Sequence, residues 1–438
     1  MSAPSRRVII RDARPLGGDA VDVVLVDGKI AAIAPPGADS RNAPEDAIVI
    51  EGRGNVLLPG LVDLHTHLRE PGREDAETVL TGSAAAAVGG FTAVHAMANT
   101  DPVADTAGVV EQVWRLGRDA GYCDVRPVGA VTVGLAGSQL AELGAMAESA
   151  ASVRMFSDDG KCVDDAVMMR RAMEYVKALD GVIAQHAQES RLTRGAQMNE
   201  GAVSAVLGLA GWPAVAEEAI IARDVLLAEH VGSRVHICHV STAGSVDIIR
   251  RAKEVGIAVT AEVTPHHLML TDDLVNGYDP VFKVNPPLRT MRDVEAVRQG
   301  LVDGTIDVVA TDHAPHPSED KECEWSAAAF GMLGLPTALS VVIAATLETG
   351  LLDWAGIARC MSVNPAKIGS VETQGRPISV GEPANLVLVD PGARWVVDPI
   401  KFPGPSRNSP FAGMELPGRV VATIYAGTPT VLEGVLQW

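Results

Sequence analysis

A chain of 438 residues is too long for one small core and suits a barrel-sized domain with a second, smaller unit. Its hydrophobic content of 47% excludes a disordered polypeptide, and its net charge of −19 disfavours nucleic acid as a partner, because phosphate binding needs basic patches. A small anionic substrate stays compatible with that charge, since a metal ion or an arginine can dominate a single cleft.

The cysteine and hydropathy patterns predict a cytoplasmic protein. The five cysteines are scattered, odd in number and without CxxC spacing, which is typical of reduced thiols. The N-terminal segment Met1–Asp12 has no long apolar stretch, so a secretory signal is not expected. No uncharged apolar stretch of about 18 residues predicts a membrane span.

Residues 1–59 are predicted to form short strands separated by turns. Asp27-Gly28 is typical of a hairpin turn, and it separates two of three β-branched runs: Arg7–Ile10, Val21–Val26 and Ala47–Ile50. Residues 376–438 repeat this style, with strands expected at Asn385–Val389 and Arg419–Ala426. We therefore expect the two ends of the chain to pair into one small β-sandwich domain.

Residues 60–375 alternate between short apolar runs and longer helical stretches. Eight apolar runs end near the following polar residues: His65, Asn99, Thr132, Asp158, His186, His239, His266 and Asp312. The helical stretches between them include Thr78–Val88, Asp164–Leu179, Val215–Val231, Ala243–Val255 and Met291–Val302. Eight βα units over about 300 residues predict a (β/α)8 barrel of TIM type. An open, doubly wound sheet is the alternative, and it lacks the GxGxxG turn expected after its first strand.

The predicted strand ends carry a set of metal-binding side chains. His65 and His67 lie two residues apart on a strand, so they face the same side and can aim two imidazoles at one metal ion. A barrel brings the C-terminal ends of its strands to one mouth, where this pair would meet other ligand types: Asp158 or Asp159, His186, His239 and Asp312. Six ligands exceed the need of one tetrahedral zinc ion, so the pattern predicts two.

The predicted centre holds one Zn²⁺ on His65, His67 and Asp312 and the other on His186 and His239, with an aspartate of the fourth strand as the bridge. A hydroxide between the ions becomes a nucleophile at neutral pH, because metal coordination lowers the pKa of water. Two zinc ions, two aspartates and one hydroxide leave a charge of about +1, which favours an anionic substrate. Asp312 is then placed to shuttle a proton between the hydroxide and the leaving nitrogen.

Each of these residues also has a structural interpretation. The sequence Asp158-Asp159-Gly160 alone is typical of a turn, and a single strand-end histidine is more often hydrogen-bonded than bound to metal. His266 and His267 end another predicted strand and are interpreted as neighbours of the ligands rather than as ligands. The metal prediction therefore depends on ligands that fall at successive strand ends, and not on any one of them.

Three motifs give the chain its resemblance to a known family. They are Asp63-Leu64-His65-Thr66-His67-Leu68-Arg69-Glu70-Pro71-Gly72, Val284-Asn285-Pro286-Pro287-Leu288-Arg289 and Ala310-Thr311-Asp312-His313-Ala314-Pro315-His316. With these motifs the chain resembles the amidohydrolase superfamily and, within it, the class I dihydroorotases. The resemblance covers most of the chain, from the small β domain through the barrel and back.

The resemblance implies the reversible cyclisation of N-carbamoyl-L-aspartate to (S)-dihydroorotate plus water in de novo pyrimidine (UMP) biosynthesis. It implies that Arg69 and Asn99 bind the substrate carboxylate, and a guanidinium fork does match a carboxylate. It also implies further substrate contacts from His67, Asn285, His316, Phe330 and Gly331. The charged segment 317–329 is expected to form a substrate-covering loop. A homodimer and an association with aspartate transcarbamoylase are both left open.

The fourth strand departs from a pattern common in this superfamily. Many relatives, including hydantoinases and allantoinases, bridge their metals with a carboxylated lysine, whereas this strand ends in Ser157-Asp158-Asp159-Gly160. Lys161 follows the turn and is not expected in the site. An aspartate carries the same charge, and resemblance to some bacterial class I dihydroorotases favours Asp159 over Asp158.

Two alternatives to this activity remain. Another zinc cyclic amidase, an allantoinase or a hydantoinase, is disfavoured by the missing lysine and by Arg69. A non-catalytic, dihydroorotase-like scaffold subunit is disfavoured by the presence of all six ligands.

Overall fold

The computed structural model describes residues 7–37 and 47–437. Its strands, in chain order, are β1 (Arg7–Pro15), β2 (Val21–Val26), β3 (Lys29–Ala34), β4 (Ile48–Glu51), β5 (Val56–Pro59), β6 (Leu61–Thr66), β7 (Phe91–Ala96), β8 (Asp124–Pro127), β9 (Met155–Phe156), β10 (Val182–Gln185), β11 (Met198–Asn199), β12 (Gly211–Trp212), β13 (Val235–Ile237), β14 (Val259–Val263), β15 (Val308–Val309), β16 (Leu386–Val396), β17 (Glu415–Tyr425), β18 (Thr428–Leu432) and β19 (Val435–Leu436).

The α-helices are α1 (Val79–Val88), α2 (Ala107–Ala120), α3 (Leu143–Glu148), α4 (Ala166–Ala178), α5 (Ala202–Leu207), α6 (Val215–Val231), α7 (Ala243–Glu254), α8 (Met291–Asp303), α9 (Ser318–Lys321), α10 (Ala338–Val342), α11 (Trp354–Ala358) and α12 (Asn364–Ile368). Two π-helical turns continue α10 and α11, at Ile343–Leu347 and Arg359–Val363. Single 3₁₀ segments cover Val133–Leu135, Asp272–Gly277, Pro280–Phe282 and Pro399–Lys401.

The two ends of the chain share one mixed sheet, as the sequence predicts. Its strands run in the order β19-β18-β17-β16-β5-β1-β2-β3, and β4 pairs with β1. The joint is β5, which is antiparallel to β16 and parallel to β1. Asp27 and Gly28 both have positive φ, 50° and 77°, as a two-residue hairpin turn between β2 and β3 requires. One apolar cluster takes side chains from both ends of the chain, including Val8, Leu25, Leu386 and Ile424.

Eight parallel strands of the described chain close into the predicted barrel. The strands β6, β7 and β8 pair in that order, and β9, β10, β13, β14 and β15 pair in that order. Parallel bridges from Gly129 to Phe156 and from Thr66 to His313 join the two sets into a ring. The fold is therefore a (β/α)8 barrel with a small β domain, which confirms the predicted class.

The helices that the sequence predicts around the barrel are present within two residues at each end. Side chains of Thr78, Asp165 and Thr242 accept hydrogen bonds from the first turns of α1, α4 and α7, and left-handed Gly232 ends α6. The third barrel strand ends at Pro127, not near Thr132, because the chain then enters a loop where Ala130 donates to the Ala104 carbonyl.

Some sequence predictions are tested only in part, or not at all, by the described residues. The absence of a secretory signal concerns Met1–Asp12, of which residues 1–6 lie outside the described part of the chain. The domain boundaries after residues 59 and 375 remain predictions. In residues 7–37 and 47–437, no helix combines the length and the apolar character that a membrane crossing requires.

Candidate metal centre

The barrel delivers all six predicted metal ligands to the C-terminal ends of its strands. His65 lies within β6, and the others follow strands by one to three residues: His67, Asp159, His186, His239 and Asp312. All six side chains are buried. Two of them, His239 and Asp312, have positive φ values of 31° and 47°, a left-handed backbone that costs energy for a residue with a Cβ. The fold therefore holds these side chains in place at the barrel mouth.

Asp159 lies between two pairs of histidines, with one carboxylate oxygen on each pair. Its Oδ2 is 3.3 Å from Nε2 of His65 and 3.3 Å from Nε2 of His67. Its Oδ1 is 3.2 Å from Nδ1 of His186 and 3.3 Å from Nε2 of His239. Asp312 completes the first group, because its Oδ1 is 3.0 Å from Nε2 of His67 and 3.4 Å from Nε2 of His65.

These separations are also those expected between the ligand atoms of one metal ion. In a tetrahedral site with ligand distances of about 2.0 Å, neighbouring ligand atoms are about 3.3 Å apart. The His65 Nε2 atom is fully buried and has no hydrogen-bond partner in the structure, as expected of an atom that donates its lone pair to a metal ion. Two groups of the described residues meet the ligand geometry and share Asp159: His65, His67 and Asp159, and Asp159, His186 and His239.

The outer nitrogens of three histidines fix which nitrogen faces the centre. His65 Nδ1 donates to Glu262 Oε1 at 2.7 Å, His67 Nδ1 to Asn99 Oδ1 at 2.9 Å, and His186 Nε2 to Gln188 Oε1 at 2.7 Å. In a neutral imidazole the other nitrogen then carries a lone pair, and in all three residues that nitrogen faces Asp159. Such outer hydrogen bonds orient metal-binding histidines and raise their basicity.

The centre is built to hold positive charge among carboxylates. Burial alone would lower the pKa of His65, but the charges of Asp159, Asp312 and Glu262 outweigh it and raise that pKa well above its usual value. Burial would raise the pKa of Asp312, but the neighbouring His65 and His67 hold it at about 2. The same carboxylates that favour a proton on a histidine favour a divalent cation.

The structure separates the two neighbouring aspartates of the fourth strand. Asp158 points to the loop after the third strand, where it accepts from the backbone N–H of Val131 and Thr132 at 2.8 and 2.9 Å and from the Thr132 hydroxyl at 2.5 Å. Asp63 makes the matching link between the first and last strands, with Thr311 N–H at 3.0 Å and the Thr311 hydroxyl at 2.5 Å. Asp158 is thus occupied in joining strands, and Asp159 faces the histidines.

The predicted substrate residues form two groups beside the centre. In the first, Arg69 donates through Nε to the Pro315 carbonyl at 3.1 Å and lies 3.4 Å from Nε2 of His316, which donates to the Phe330 carbonyl at 2.8 Å. A Cβ on Gly331 would lie 2.7 Å from Nε2 of His316, so this close approach requires glycine. Asn99 contacts His67 and so touches the ligand set directly.

In the second group, Asn285 connects to the centre through a residue that the sequence analysis did not single out. Asn285 Nδ2 donates to Gln188 Oε1 at 3.1 Å, and that same oxygen accepts from His186. The Oδ1 atom of Asn285 is buried without a partner in the structure. It is therefore free to accept a hydrogen bond from a substrate N–H group.

Comparison with known proteins places this arrangement in a family. The family model described as Dihydro-orotase-like matches residues 54–245. The dihydroorotase of Streptomyces coelicolor is 68% identical over 430 residues, which cover 98% of this chain and 99% of that protein. The dihydroorotase of Mycobacterium tuberculosis is 57% identical over 431 residues, which cover 98% and 99%. The chain belongs to the dihydroorotase family.

A solved structure of an enzyme named for a different activity shares the fold of this dihydroorotase-family chain. The L-hydantoinase (dihydropyrimidinase) of Arthrobacter aurescens superimposes with a TM-score of 0.86 at 26% identity, covering 98% of this chain and 97% of the other. The barrel with its small β domain is therefore common to both enzymes.

Sequence reasoning missed Glu262, the buried partner of three histidines in this dihydroorotase-family chain. Besides His65, it accepts from His236 Nε2 at 3.0 Å and from the backbone N–H of His239 at 3.3 Å. Its pKa is far below its usual range, because these contacts outweigh the effect of burial. An acidic residue inside an apolar barrel strand was the available signal, since a buried charge needs partners.

The charged segment 317–329 is packed down by two buried lysines. Lys321 Nζ donates to the carbonyls of Ala329 at 2.8 Å, Gly331 at 3.0 Å and Lys283 at 3.2 Å. Lys283 Nζ donates to the Trp325 carbonyl at 2.7 Å and lies 4.6 Å from the centre of the Phe330 ring. The Lys321 ammonium thus fixes the backbone on both sides of Phe330, and the Lys283 ammonium lies against the Phe330 ring.

Lys321 gives this family member an expected pH dependence of stability. Burial and the charge of Lys283 lower the pKa of Lys321 to about 7, against about 10.4 in an unfolded chain. Between these values the unfolded state binds more protons, so stability rises with pH. We expect denaturant midpoints from pH 7 to pH 10 to rise more in the natural chain than in Lys321→Met. The exposed Lys161→Met variant is the control, and parallel curves for Lys321→Met would contradict the assignment.

Proposed function

We propose that this chain is a dihydroorotase that interconverts N-carbamoyl-L-aspartate and (S)-dihydroorotate in pyrimidine biosynthesis. The observation that carries the proposal is Asp159 between two histidine pairs, with Arg69 beside the same mouth. Relatives up to 68% identical over nearly the whole chain are named dihydroorotases, which supports the same reaction. A guanidinium next to a cationic centre suits a substrate that carries a carboxylate.

We propose two zinc ions as the cofactor. His65, His67 and Asp312 would hold one ion, His186 and His239 the other, and Asp159 would bind both. Nitrogen and carboxylate donors at these separations are the ligand types that zinc accepts. When bound, such ions lower the pKa of water and polarise a carbonyl group.

The protein residues then position the substrate and move one proton. In the hydrolytic direction Asp312 accepts the proton of the attacking water and delivers it to the ring nitrogen as the C–N bond breaks. In cyclisation Asp312 takes that proton from the ureido nitrogen and returns it as water leaves. Cyclisation of the dianionic carbamoyl aspartate to the monoanionic product consumes one proton from solution, so acidic conditions favour the ring and alkaline conditions the open chain.

We propose that the substrate is held from both groups of residues beside the centre. Arg69, Asn99 and His316 would bind its carboxylate, and His67 would contact the reacting end. Asn285 Oδ1 and the backbone of Phe330-Gly331 would hold the ureido group. The buried, unpartnered Oδ1 of Asn285 supports this division, because it needs a donor.

Assay of the purified, zinc-supplied chain tests the function. We expect interconversion of the two compounds in both directions, with little activity on allantoin or unsubstituted hydantoins. A preference for hydantoins, the substrates named for the Arthrobacter relative, would favour a hydantoinase instead. Absence of turnover at any pH together with absence of bound metal would favour a non-catalytic scaffold.

Arg69 should determine recognition of the substrate carboxylate. In Arg69→Lys the charge remains but the planar fork is lost, and we expect kcat/KM to fall about 10- to 100-fold through KM, the value of one or two charge-assisted hydrogen bonds. Steady-state kinetics measures this effect. Arg73→Lys, four residues away and half-exposed, is the matched control and should change KM less than about twofold. A larger effect at Arg73 would contradict the assignment of Arg69.

We further propose a cytoplasmic homodimer that is able to associate with aspartate transcarbamoylase. The described cysteines are all free thiols, which supports a reducing compartment. Light scattering of the purified chain, alone and mixed with the transcarbamoylase, tests both assembly states.

A further inference from the structure

A cavity of about 660 Å³ lies at the N-terminal end of the barrel, away from the strand ends that carry the metal centre. Basic side chains line it from the starts of several strands. Arg126 belongs to β8, Arg154 directly precedes β9, and Arg234 directly precedes β13. Lys367 of α12 and Arg376 complete the set. The parallel strands thus place basic side chains at this end of the barrel and the predicted metal ligands at the other end.

The cations outnumber the carboxylates of this cavity. Asp180 and Glu372 are its acidic lining residues, against five basic ones, in a chain whose net charge is −19. Three arginines have carboxylate partners: Arg126 with Asp124 at 2.8 Å, Arg234 with Asp180 at 3.1 Å, and Arg376 with Glu382 at 2.8 Å.

Two of the five lining cations, Arg154 and Lys367, form no ion pair in the described part of the chain. Arg154 donates through Nη1 to the carbonyls of Ala147 and Val153, both at 2.9 Å. Within residues 7–37 and 47–437, neither Arg154 nor Lys367 forms an ion pair. Glu372 is a lining carboxylate outside these three ion pairs, so five cations face the four carboxylates Asp124, Asp180, Glu372 and Glu382. The concave site keeps a net charge of about +1, which favours an anionic ligand.

We propose that this cavity binds a small phosphorylated metabolite, one that carries two phosphate groups on a polar scaffold. Guanidinium forks match phosphate oxygens in pairs, and the volume lies in the range of ligand sites. Among the described residues, no aromatic side chain lines the cavity, so recognition rests on charge and not on base stacking. A nucleic acid would need a basic surface well beyond the cavity, which the acidic chain lacks. The proposal does not depend on the proposed catalytic function.

Calorimetric titration of the zinc-loaded chain with fructose 1,6-bisphosphate tests the site, with inorganic phosphate as the single-phosphate probe. We expect saturable binding of the bisphosphate and at least about tenfold weaker binding of phosphate. The double variant Arg154→Gln/Lys367→Gln should weaken bisphosphate binding at least about tenfold, since each charge-assisted contact is worth about that factor. Binding at the metal centre would survive these substitutions, so it cannot mimic this result.

The matched control removes the same two charge types from exposed positions elsewhere, in Arg115→Gln/Lys401→Gln. It should leave binding within about twofold. The single variant Lys367→Glu tests the site even if loss of the Arg154 contacts impairs folding, because the Lys367 side chain is exposed. Absence of binding at millimolar probe, equal affinity for phosphate and bisphosphate, or equal weakening in the control would each overturn the proposal.

Discussion

Asn in place of Asp159 is expected to remove at least half of the bound zinc and nearly all turnover, whereas the same change at Asp158 is expected to preserve both. Asp159 places one oxygen on each histidine pair, so its charge serves both halves of the centre. Asp158 accepts three hydrogen bonds from Val131 and Thr132, and an asparagine oxygen retains part of that role. We expect about two zinc ions per chain in Asp158→Asn and one or fewer in Asp159→Asn.

Metal analysis and kcat measurements on the two purified variants decide whether Asp158 or Asp159 is the bridging residue. The pair is well matched, because both side chains are buried and both changes remove one negative charge. Thermal unfolding of each variant shows whether a loss of zinc merely follows a loss of fold. Full zinc occupancy in Asp159→Asn, or its loss in Asp158→Asn alone, would reverse the assignment of the bridging residue.

Asparagine at Asp312 is expected to lower kcat about 10²- to 10⁴-fold in both directions, the usual contribution of a positioned acid–base group. An amide oxygen still reaches His67 and a metal ion, but it cannot carry a proton between water and nitrogen. Because Arg69 and Asn285 are unaltered, KM should change only a few-fold. Steady-state assays of cyclisation and hydrolysis measure both constants.

The control for Asp312 is Asp303→Asn, a change at a partly exposed carboxylate that pairs with Arg250 of α7 on the outside of the barrel. This variant should keep kcat within about twofold. Zinc content must be measured in Asp312→Asn, so that a missing proton carrier is distinguished from a missing ligand. A variant that retains zinc and more than a tenth of the natural kcat would show that another group carries the proton.

The sequence was sufficient to predict the fold, because the periodicity of its helices and strands and the geometry of a closed barrel indicate the same architecture. Helix α6 lies at Val215–Val231, as its helical periodicity predicts, and the left-handed Gly232 ends it. The strand-end ligands could be foreseen because every parallel strand of a closed barrel presents its C-terminal end to the same mouth. That His65 and His67 face the same side follows from the two-residue period of a strand alone.

Contacts between distant segments could not be foreseen in this way. Gln188 joins His186 to Asn285 across 97 residues, and Lys321 reaches Gly331 only because the intervening loop folds back. Glu262 meets His65 across 197 residues. No local periodicity records such contacts, since they depend on which strands become neighbours when the ring closes.

The sequence by itself determined the barrel and the small domain built from both chain ends, and it predicted the six candidate ligand side chains and the arginine beside them. Only the tertiary structure decided which aspartate of the fourth strand faces the histidines. Neighbouring residues at a turn have no fixed period, so their directions follow from their partners. Backbone N–H groups of the loop after the third strand donate to Asp158, and Asp159 faces both pairs of histidines.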